Sequence, residues 1–126
     1  MKKKIIKTVN APAAIGPYSQ AVLVGNTLYC SGQIAIEPAT GHLKTDDIKT
    51  ETKQVMENIR AVLKAADMDF NNLVKVSILM KSMNDYAAVN AIYAQYFNED
   101  PPAREAVEVA RLPKDVNVEI SVIGVK

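Results

Sequence analysis

The residues from Pro101 to Val122 alternate between apolar and polar side chains on both sides of one short turn. Alternation with a period of two is typical of a β-strand with one buried face, so this segment predicts two strands joined at Pro113-Lys114-Asp115. Each predicted strand carries one charged residue where core is expected, Arg104 in the first and Glu119 in the second. A cation and a carboxylate on a rigid sheet could anchor an anionic substrate and activate water. The alternative is an ordinary surface ion pair.

The rest of the chain predicts two helices and four further strands. Gly25-Asn26 forms the two-residue turn of a hairpin, and apolar residues at helical spacing predict the long first helix, with Thr45 or Asp46 as its cap. The predicted strands are 4–7, 21–24, 27–31 and 73–80, and the predicted helices are 46–66 and 84–97, the latter capped by Asn84. The fold class expected from this order is α+β, a mixed sheet with two helices on one face. At 126 residues the chain fits a single domain spanning 1–126.

Side chains alternate along a strand, so each predicted strand can be divided into two faces. The face assigned to the helices is apolar and includes Leu28, Cys30, Val74, Val76, Ile78, Met80, Val107, Val109, Val118, Ile120 and Val122. The second face is expected to carry Ser31, Gln33, Arg104 and Glu119 among the apolar residues Tyr29, Leu79, Ala106 and Ile123. That mixture is too apolar for a solvated face, which predicts contact with other subunits in a homo-oligomer.

The expected register separates the two charged residues. If the last two strands pair through the turn at 113–115, Glu119 lies near Val109, and Arg104 is about five residues, roughly 16 Å, further along its strand. Arg104 and Glu119 would then not meet inside one chain. A joint site would need Arg104 from one subunit and Glu119 from another.

Charge and cysteine content limit the classes of function. A net charge of +1 gives no global electrostatic case for binding nucleic acid or an anionic membrane. The cluster Lys2-Lys3-Lys4 is expected to be a solvated N-terminus rather than an anion-binding arm. One cysteine, Cys30, cannot form an internal disulfide, and no apolar stretch predicts a signal or a membrane span, so a cytoplasmic location is expected. His42, the single histidine, predicts no metal site.

Four segments together resemble one protein family. They are G-P-Y-S-Q-A at 16–21, S-G-Q-I at 31–34, D-Y-A-A-V-N-A-I-Y at 85–93 and P-A-R-E-A-V-E-V-A-R-L-P-K-D-V-N-V-E-I at 102–120. In this order they are similar to the RidA/YjgF family of imine deaminases, formerly described as endoribonucleases or translation inhibitors. The resemblance implies a chorismate-mutase-like α+β fold and a homotrimer with clefts between subunits. It implies hydrolysis of 2-iminobutanoate and 2-iminopropanoate, or of their enamine tautomers, to 2-oxo acids and ammonia, without cofactor or metal.

The resemblance assigns catalytic roles to the two charged residues. Arg104 matches the family arginine that binds the substrate carboxylate, for which a planar guanidinium is suited. The alternative is a surface arginine paired with Glu105 or Glu108. Glu119 matches the family glutamate that positions or deprotonates water, and the alternative is an exposed strand carboxylate.

The resemblance also implies four substrate-binding residues. They are Tyr18 as a phenol over the substrate, Ser31 beside it, Gly32 for close backbone approach, and Asn90 on the second helix. Three of them have a plain structural alternative, which is a ring packed on the surface for Tyr18, an ordinary strand serine for Ser31, and a helix-face or interface amide for Asn90. The chain departs from the pattern at Ala106, where many relatives carry a cysteine, so thiol chemistry at that position is excluded. Cys30 is expected to be a buried apolar residue facing the helices.

Two other functions remain open from the sequence. The same cleft could bind 2-oxo acids as a regulatory trimer without turnover, although a carboxylate at Glu119 would repel such ligands. RNA cleavage or translation inhibition is the weakest reading of the family names, because the charge is nearly neutral and no basic-aromatic surface is evident.

Overall fold

The computed structural model describes residues 2–126. Over these residues it has two α-helices and six strands, which are β1 Lys3–Ile6, β2 Ala21–Val24, β3 Thr27–Gln33, α1 Ile48–Ala65, β4 Leu73–Met80, α2 Tyr86–Ala94, β5 Ala103–Glu108 and β6 Val118–Val125. The strands form one sheet in the order β1-β2-β3-β6-β4-β5. β4 and β5 are parallel and every other pair is antiparallel. The predicted α+β fold with a mixed sheet is therefore confirmed.

The helix ends differ slightly from the prediction. Asp47, rather than Thr45 or Asp46, caps α1, and its carboxylate accepts a hydrogen bond from the Thr50 N–H at 2.8 Å. The second helix is shorter than 84–97, because a 3-10 turn at Met83–Asp85 precedes it and Ser82, rather than Asn84, caps that turn.

One face of the sheet packs against both helices and forms the core. The fully buried side chains at its centre are Leu28, Val55, Met56, Ile59, Val62, Leu63, Val76, Ile78, Met80, Val118 and Ile120. Two polar residues of α1, Glu51 and Asn58, are buried within the same apolar stripe at 0% and 1% exposure. Buried polar groups require hydrogen bonds. Asn58 bonds to the segment that follows β3, and Glu51 bonds to the start of β6.

The predicted pairing of the last two strands is wrong. β4 lies between β5 and β6, so the 3-10 turn at Pro113–Asp115 leads away from β5 instead of closing a hairpin. In the parallel pair of β4 and β5, Arg104 lies opposite the buried Val76 and Val107 lies opposite Leu79. Opposed residues of neighbouring strands face the same side. Arg104 therefore faces the helices, and the expectation that it shares the second face with Glu119 is wrong.

Two bulges change the face of further residues. In β3, Ser31 and Gly32 together oppose a single position of β6, since Cys30 pairs with Val122 and Gln33 with Ile120. The extra residue turns Gln33 into the core, where it is 5% exposed, instead of onto the second face. A similar irregularity in β4 leaves Val74 46% exposed rather than buried.

The second face of the sheet mixes polar residues such as Glu119 and Ser121 with exposed apolar ones, and neither helix among residues 2–126 covers it. It presents Tyr29, Ile5 and Val107, which are 52%, 50% and 43% exposed. The alternation predicts Val107 on the helix side; this is wrong, because Val107 pairs with Leu79 in the observed register of β5. Between residues 2 and 126, the structure contains no helix whose length and apolarity would suffice for a membrane span.

Candidate active site

A cleft of about 510 Å³ opens beside β6, where β3 and β6 stop pairing. It brings together four of the predicted site residues, Tyr18, Ser31, Gly32 and Glu119. The remaining wall is mostly apolar and consists of Pro12, Ala13, Ile15, Gln20, Gln33, Ile34, Ile36, Pro113 and Lys114. The cleft thus combines one carboxylate and a few polar groups with apolar walls, as small-molecule sites commonly do.

The Glu119 side chain lies directly against Gly32. A Cβ atom at position 32 would overlap the carboxylate, standing 2.7 Å from Cδ and 3.0 Å from Cγ of Glu119. Glycine is needed here for space alone, because its φ is outside the left-handed region. The bulge of β3 at Gly32 and the alternation of side chains along β6 together place the Glu119 carboxylate against Gly32.

Glu119 is half-buried in this cleft, and that burial raises the pKa of its carboxyl above the ordinary value, with no offsetting partner among residues 2–126. A raised pKa makes the ionised form a stronger base. A carboxylate that faces a cleft without a protein partner is free to accept a hydrogen bond from water, which is the geometry a general base requires.

The loop that carries Tyr18 is held by the buried Gln20. The Gln20 side chain accepts from the Thr8 N–H at 2.7 Å and donates to the carbonyls of Thr8 at 3.0 Å and Pro12 at 2.8 Å. The Tyr18 hydroxyl accepts from the Ile15 N–H at 3.3 Å, and the residue is 54% exposed at the mouth of the cleft. The loop is therefore fixed at its base, while the phenol remains accessible.

Ser31 lines the cleft and also anchors the loop that carries Tyr18. Its hydroxyl donates to the Ser19 carbonyl at 2.6 Å, which ties the Tyr18 loop to β3. Its proton is thus occupied within the protein, and only its oxygen lone pairs are available to a bound molecule.

Arg104 and Asn90, the remaining predicted site residues, form a second group at edge strand β5. Arg104 Nη1 donates to Asn90 Oδ1 at 2.8 Å and Nη2 donates to the Tyr86 hydroxyl at 2.6 Å. The guanidinium also lies 4.9 Å from the ring centre of Tyr93, within the range of a cation–π contact. These contacts orient the guanidinium. They use two of its five N–H donors, and the others can bind a ligand.

The two groups do not meet within one chain. Glu119 pairs with Leu79, which pairs with Val107, and Arg104 lies three residues before Val107 on the opposite face. Two strand spacings and three residues correspond to roughly 14 Å between the backbone positions. The separation predicted from the sequence therefore stands, but for a different reason, since the register near Val109 on which it was based is wrong.

Sequence reasoning missed several residues that build the site. Tyr86 and Tyr93 share a face of α2 with the predicted Asn90 by helical spacing, but only the corrected register brings Arg104 to that face. Asn58 donates from α1 to the carbonyls of Ile34 and Ile36, at 3.0 and 2.9 Å, and so fixes one wall of the cleft. A polar residue within an apolar stripe is the signal that could have revealed it.

The cysteine expectations agree with the structure. Cys30 faces the core at 6% exposure, and burial raises the pKa of its thiol to about 12. A thiol that stays protonated is a poor nucleophile. Ala106 lies with Arg104 on the helix face, two residues along β5, so the expectation that Ala106 belongs to the second face is wrong.

Comparison with known proteins identifies the family. The family model described as Endoribonuclease L-PSP matches residues 8–126. The chain belongs to the RidA/YjgF family. A RutC family protein of Pyrococcus horikoshii is 54% identical over 98% of both chains. The 2-iminobutanoate/2-iminopropanoate deaminase of Capra hircus is 52% identical, over 98% of this chain and 90% of its own.

A solved member of the family contains a bound small molecule. The crystal structure of E. coli TdcF with bound serine superimposes with a TM-score of 0.93 at 40% identity and covers 98% of both chains. The superposition with TdcF covers 98% of this chain. The predicted site residues of the motifs lie in the two groups described above.

Proposed function

We propose that this protein hydrolyses small 2-imino acids, such as 2-iminobutanoate and 2-iminopropanoate, or their enamine tautomers, to 2-oxo acids and ammonia. The observation that carries the proposal is the half-buried Glu119 carboxylate, which faces a cleft with no partner among residues 2–126. The name of the Capra hircus relative and the serine bound to TdcF support an amino-acid-like substrate.

In the proposed reaction, Arg104 binds the substrate carboxylate and Glu119 takes a proton from water. The water oxygen bonds to the imine carbon as the C=N double bond opens, and Glu119 passes the proton to the nitrogen, which gives a carbinolamine. Glu119 then moves the carbinolamine hydroxyl proton to the nitrogen, so that the C=O bond forms as the carbon–nitrogen bond breaks and ammonia leaves. Tyr18 covers the substrate, Ser31 and Gly32 shape the floor of the cleft, and Asn90 orients Arg104. Imines hydrolyse readily in water, so positioning and one base supply the modest acceleration required.

The proposed active site is completed between subunits of a homotrimer. Arg104 and Glu119 are on opposite faces of the sheet, so only a second chain brings them together. The exposed Ile5, Tyr29 and Val107 on the second face support a subunit interface, since such a patch is costly in water. Oligomerisation is therefore a condition of the proposed activity.

The test is to generate 2-iminobutanoate with a threonine dehydratase, in buffer free of amines, and to follow 2-oxobutanoate release. We expect acceleration over the uncatalysed rate. Arg104→Ala removes a charge-assisted contact worth roughly 1.5–3 kcal/mol, so KM rises about ten- to a hundredfold. Glu119→Gln lowers kcat without an equal change in KM.

Matched controls are the exposed residues Arg111 and Glu99. Arg111→Ala and Glu99→Gln remove the same groups outside both site groups and should leave the kinetics unchanged. Absence of acceleration by the wild type, or full activity of Arg104→Ala, would refute the proposal. Ligand binding without any acceleration would instead favour a regulatory 2-oxo acid-binding trimer.

A further inference from the structure

Glu51 is a fully buried carboxylate in the first turn of α1, with 0% exposure. Its Oε2 accepts from the N–H groups of Asn117 at 2.7 Å and Val118 at 3.1 Å, and its Oε1 accepts from Asn117 Nδ2 at 2.8 Å. No salt bridge of residues 2–126 reaches it. Burying a carboxylate without a cation is unfavourable unless hydrogen bonds compensate, whereas an apolar side chain would fill the core at lower cost. The group therefore needs an explanation beyond packing.

The explanation lies in the gap that forms the cleft. β3 pairs with β6 only as far as Gln33 opposite Ile120, so earlier residues of β6 have no strand partner on that side. Glu51 accepts from the N–H of Val118, the first residue of β6, and from the N–H of Asn117 immediately before it. On the other side, the Asn117 carbonyl accepts from the Lys81 N–H at 3.0 Å. The backbone immediately before Glu119 is thus fixed from both sides.

We infer that Glu51 is a positioning residue that fixes the start of β6 so that the Glu119 carboxylate lies over Gly32 in the cleft. The inference rests on the proposed function, in which Glu119 is the general base. Glu51 acts from the helix face, while Glu119 points to the opposite face one residue after Val118. Any shift of the backbone at Val118 is therefore passed directly to the Glu119 side chain. Glu51 itself contacts no substrate in this scheme.

Three substitutions separate geometry from charge. Glu51→Gln keeps the side-chain length and the hydrogen bonds. The amide oxygen can accept both backbone N–H groups, and the Asn117 side-chain amide can rotate to accept from the new Nε2. Glu51→Asp keeps the charge but withdraws the carboxylate by one methylene, beyond hydrogen-bond reach of β6. Glu51→Ala removes the group. Val62→Ala, a core truncation on the same helix, serves as the control for lost stability alone.

The first measurement is the kinetics of imine hydrolysis. Glu51→Asp and Glu51→Ala are expected to lower kcat by roughly ten- to a hundredfold, as a displaced base does, with KM within about threefold because Arg104 is on another strand. Glu51→Gln should restore most of kcat. Val62→Ala should lower the unfolding temperature but not kcat.

The second measurement does not depend on activity. The carboxyl of Glu119 is titrated by carbon-13 NMR and assigned with Glu119→Gln. Tyr18 and Lys114, the other titratable groups of the cleft, are unchanged in every variant. We expect the wild-type midpoint in Glu51→Gln and Val62→Ala, and a lower midpoint in Glu51→Asp and Glu51→Ala, because the carboxylate becomes more exposed.

The outcomes are distinguishable. A wild-type Glu119 midpoint and wild-type kcat in Glu51→Asp would overturn the inference, and so would an equal loss in Glu51→Gln and Glu51→Ala. If Glu51→Ala does not fold, Glu51→Asp against Glu51→Gln decides the matter. If the wild type hydrolyses no imine, the proposed function fails, while the NMR series still tests the positioning of Glu119.

Discussion

Gly32→Ala is the sharpest test of the cleft, because a single methyl group would occupy the place of the Glu119 carboxylate. The new Cβ would stand 2.7 Å from Cδ and 3.0 Å from Cγ of Glu119. Ordinary carbon contacts are about 3.5–4.0 Å, so the carboxylate must move by roughly 1 Å. A displacement of this size at a reacting group can lower kcat by on the order of a hundredfold.

The same substitution should change stability very little. The φ of Gly32 lies outside the left-handed region, so alanine fits the backbone. The carboxylate is only half-buried and can turn towards solvent. Restricting the unfolded chain contributes about 0.4–1 kcal/mol in favour of the variant, which offsets part of the repulsion. We therefore expect a large loss of kcat with a shift of only a few degrees in the unfolding temperature.

The assay is imine hydrolysis combined with thermal unfolding. Gly124→Ala is the matched control, because its new Cβ would meet the flexible Met68 Sδ at 3.2 Å, outside the cleft. A double-mutant cycle with Glu119→Ala gives the decisive comparison. If Gly32→Ala acts through Glu119, it should add nothing in that background. Wild-type kcat in Gly32→Ala, or an undiminished effect in the cycle, would refute the reasoning.

Three further predictions follow from the site. Arg104→Lys should raise KM about tenfold in the imine assay, because an ammonium cannot match the two-pronged guanidinium. Because burial raises the pKa of Glu119, the folded state binds the Glu119 proton more tightly than the unfolded state does. The resulting contribution to the free energy of unfolding is present at low pH and is lost as pH rises through the folded-state pKa. Glu119→Gln should therefore unfold at a higher temperature than the wild type at pH 7, with a smaller difference near pH 4. Gln20→Ala leaves the Thr8 N–H and the Pro12 carbonyl without their hydrogen-bond partner. It should lower the free energy of unfolding by roughly 1–3 kcal/mol in urea titrations, and the loop that carries Tyr18 should lose order.

Much of the local structure could be predicted from periodicity. β4 begins and ends at the predicted residues, α1 differs by a residue or two, and the hairpin turns at Gly25-Asn26. The groups that line the cleft were also predictable, since Tyr18, Ser31, Gly32 and Glu119 all lie in the motifs that indicated the family. These features depend on neighbours in sequence, which a local pattern records.

The sequence by itself determined which residues alternate within each strand, but the tertiary structure decided which face each set occupies. Arg104 turned to the helices because β5 pairs with β4 opposite Val76, and Gln33 turned inward because a bulge adds one residue to β3. Glu51 could not be recognised at all, since the Val118 N–H that it satisfies lacks a partner on β3 only because the pairing of β3 with β6 ends at Ile120. Alternation fixes relative direction along one strand, whereas strand order and register depend on distant partners. For this reason, the site's residue types follow from the sequence, and their separation into two groups follows only from the fold.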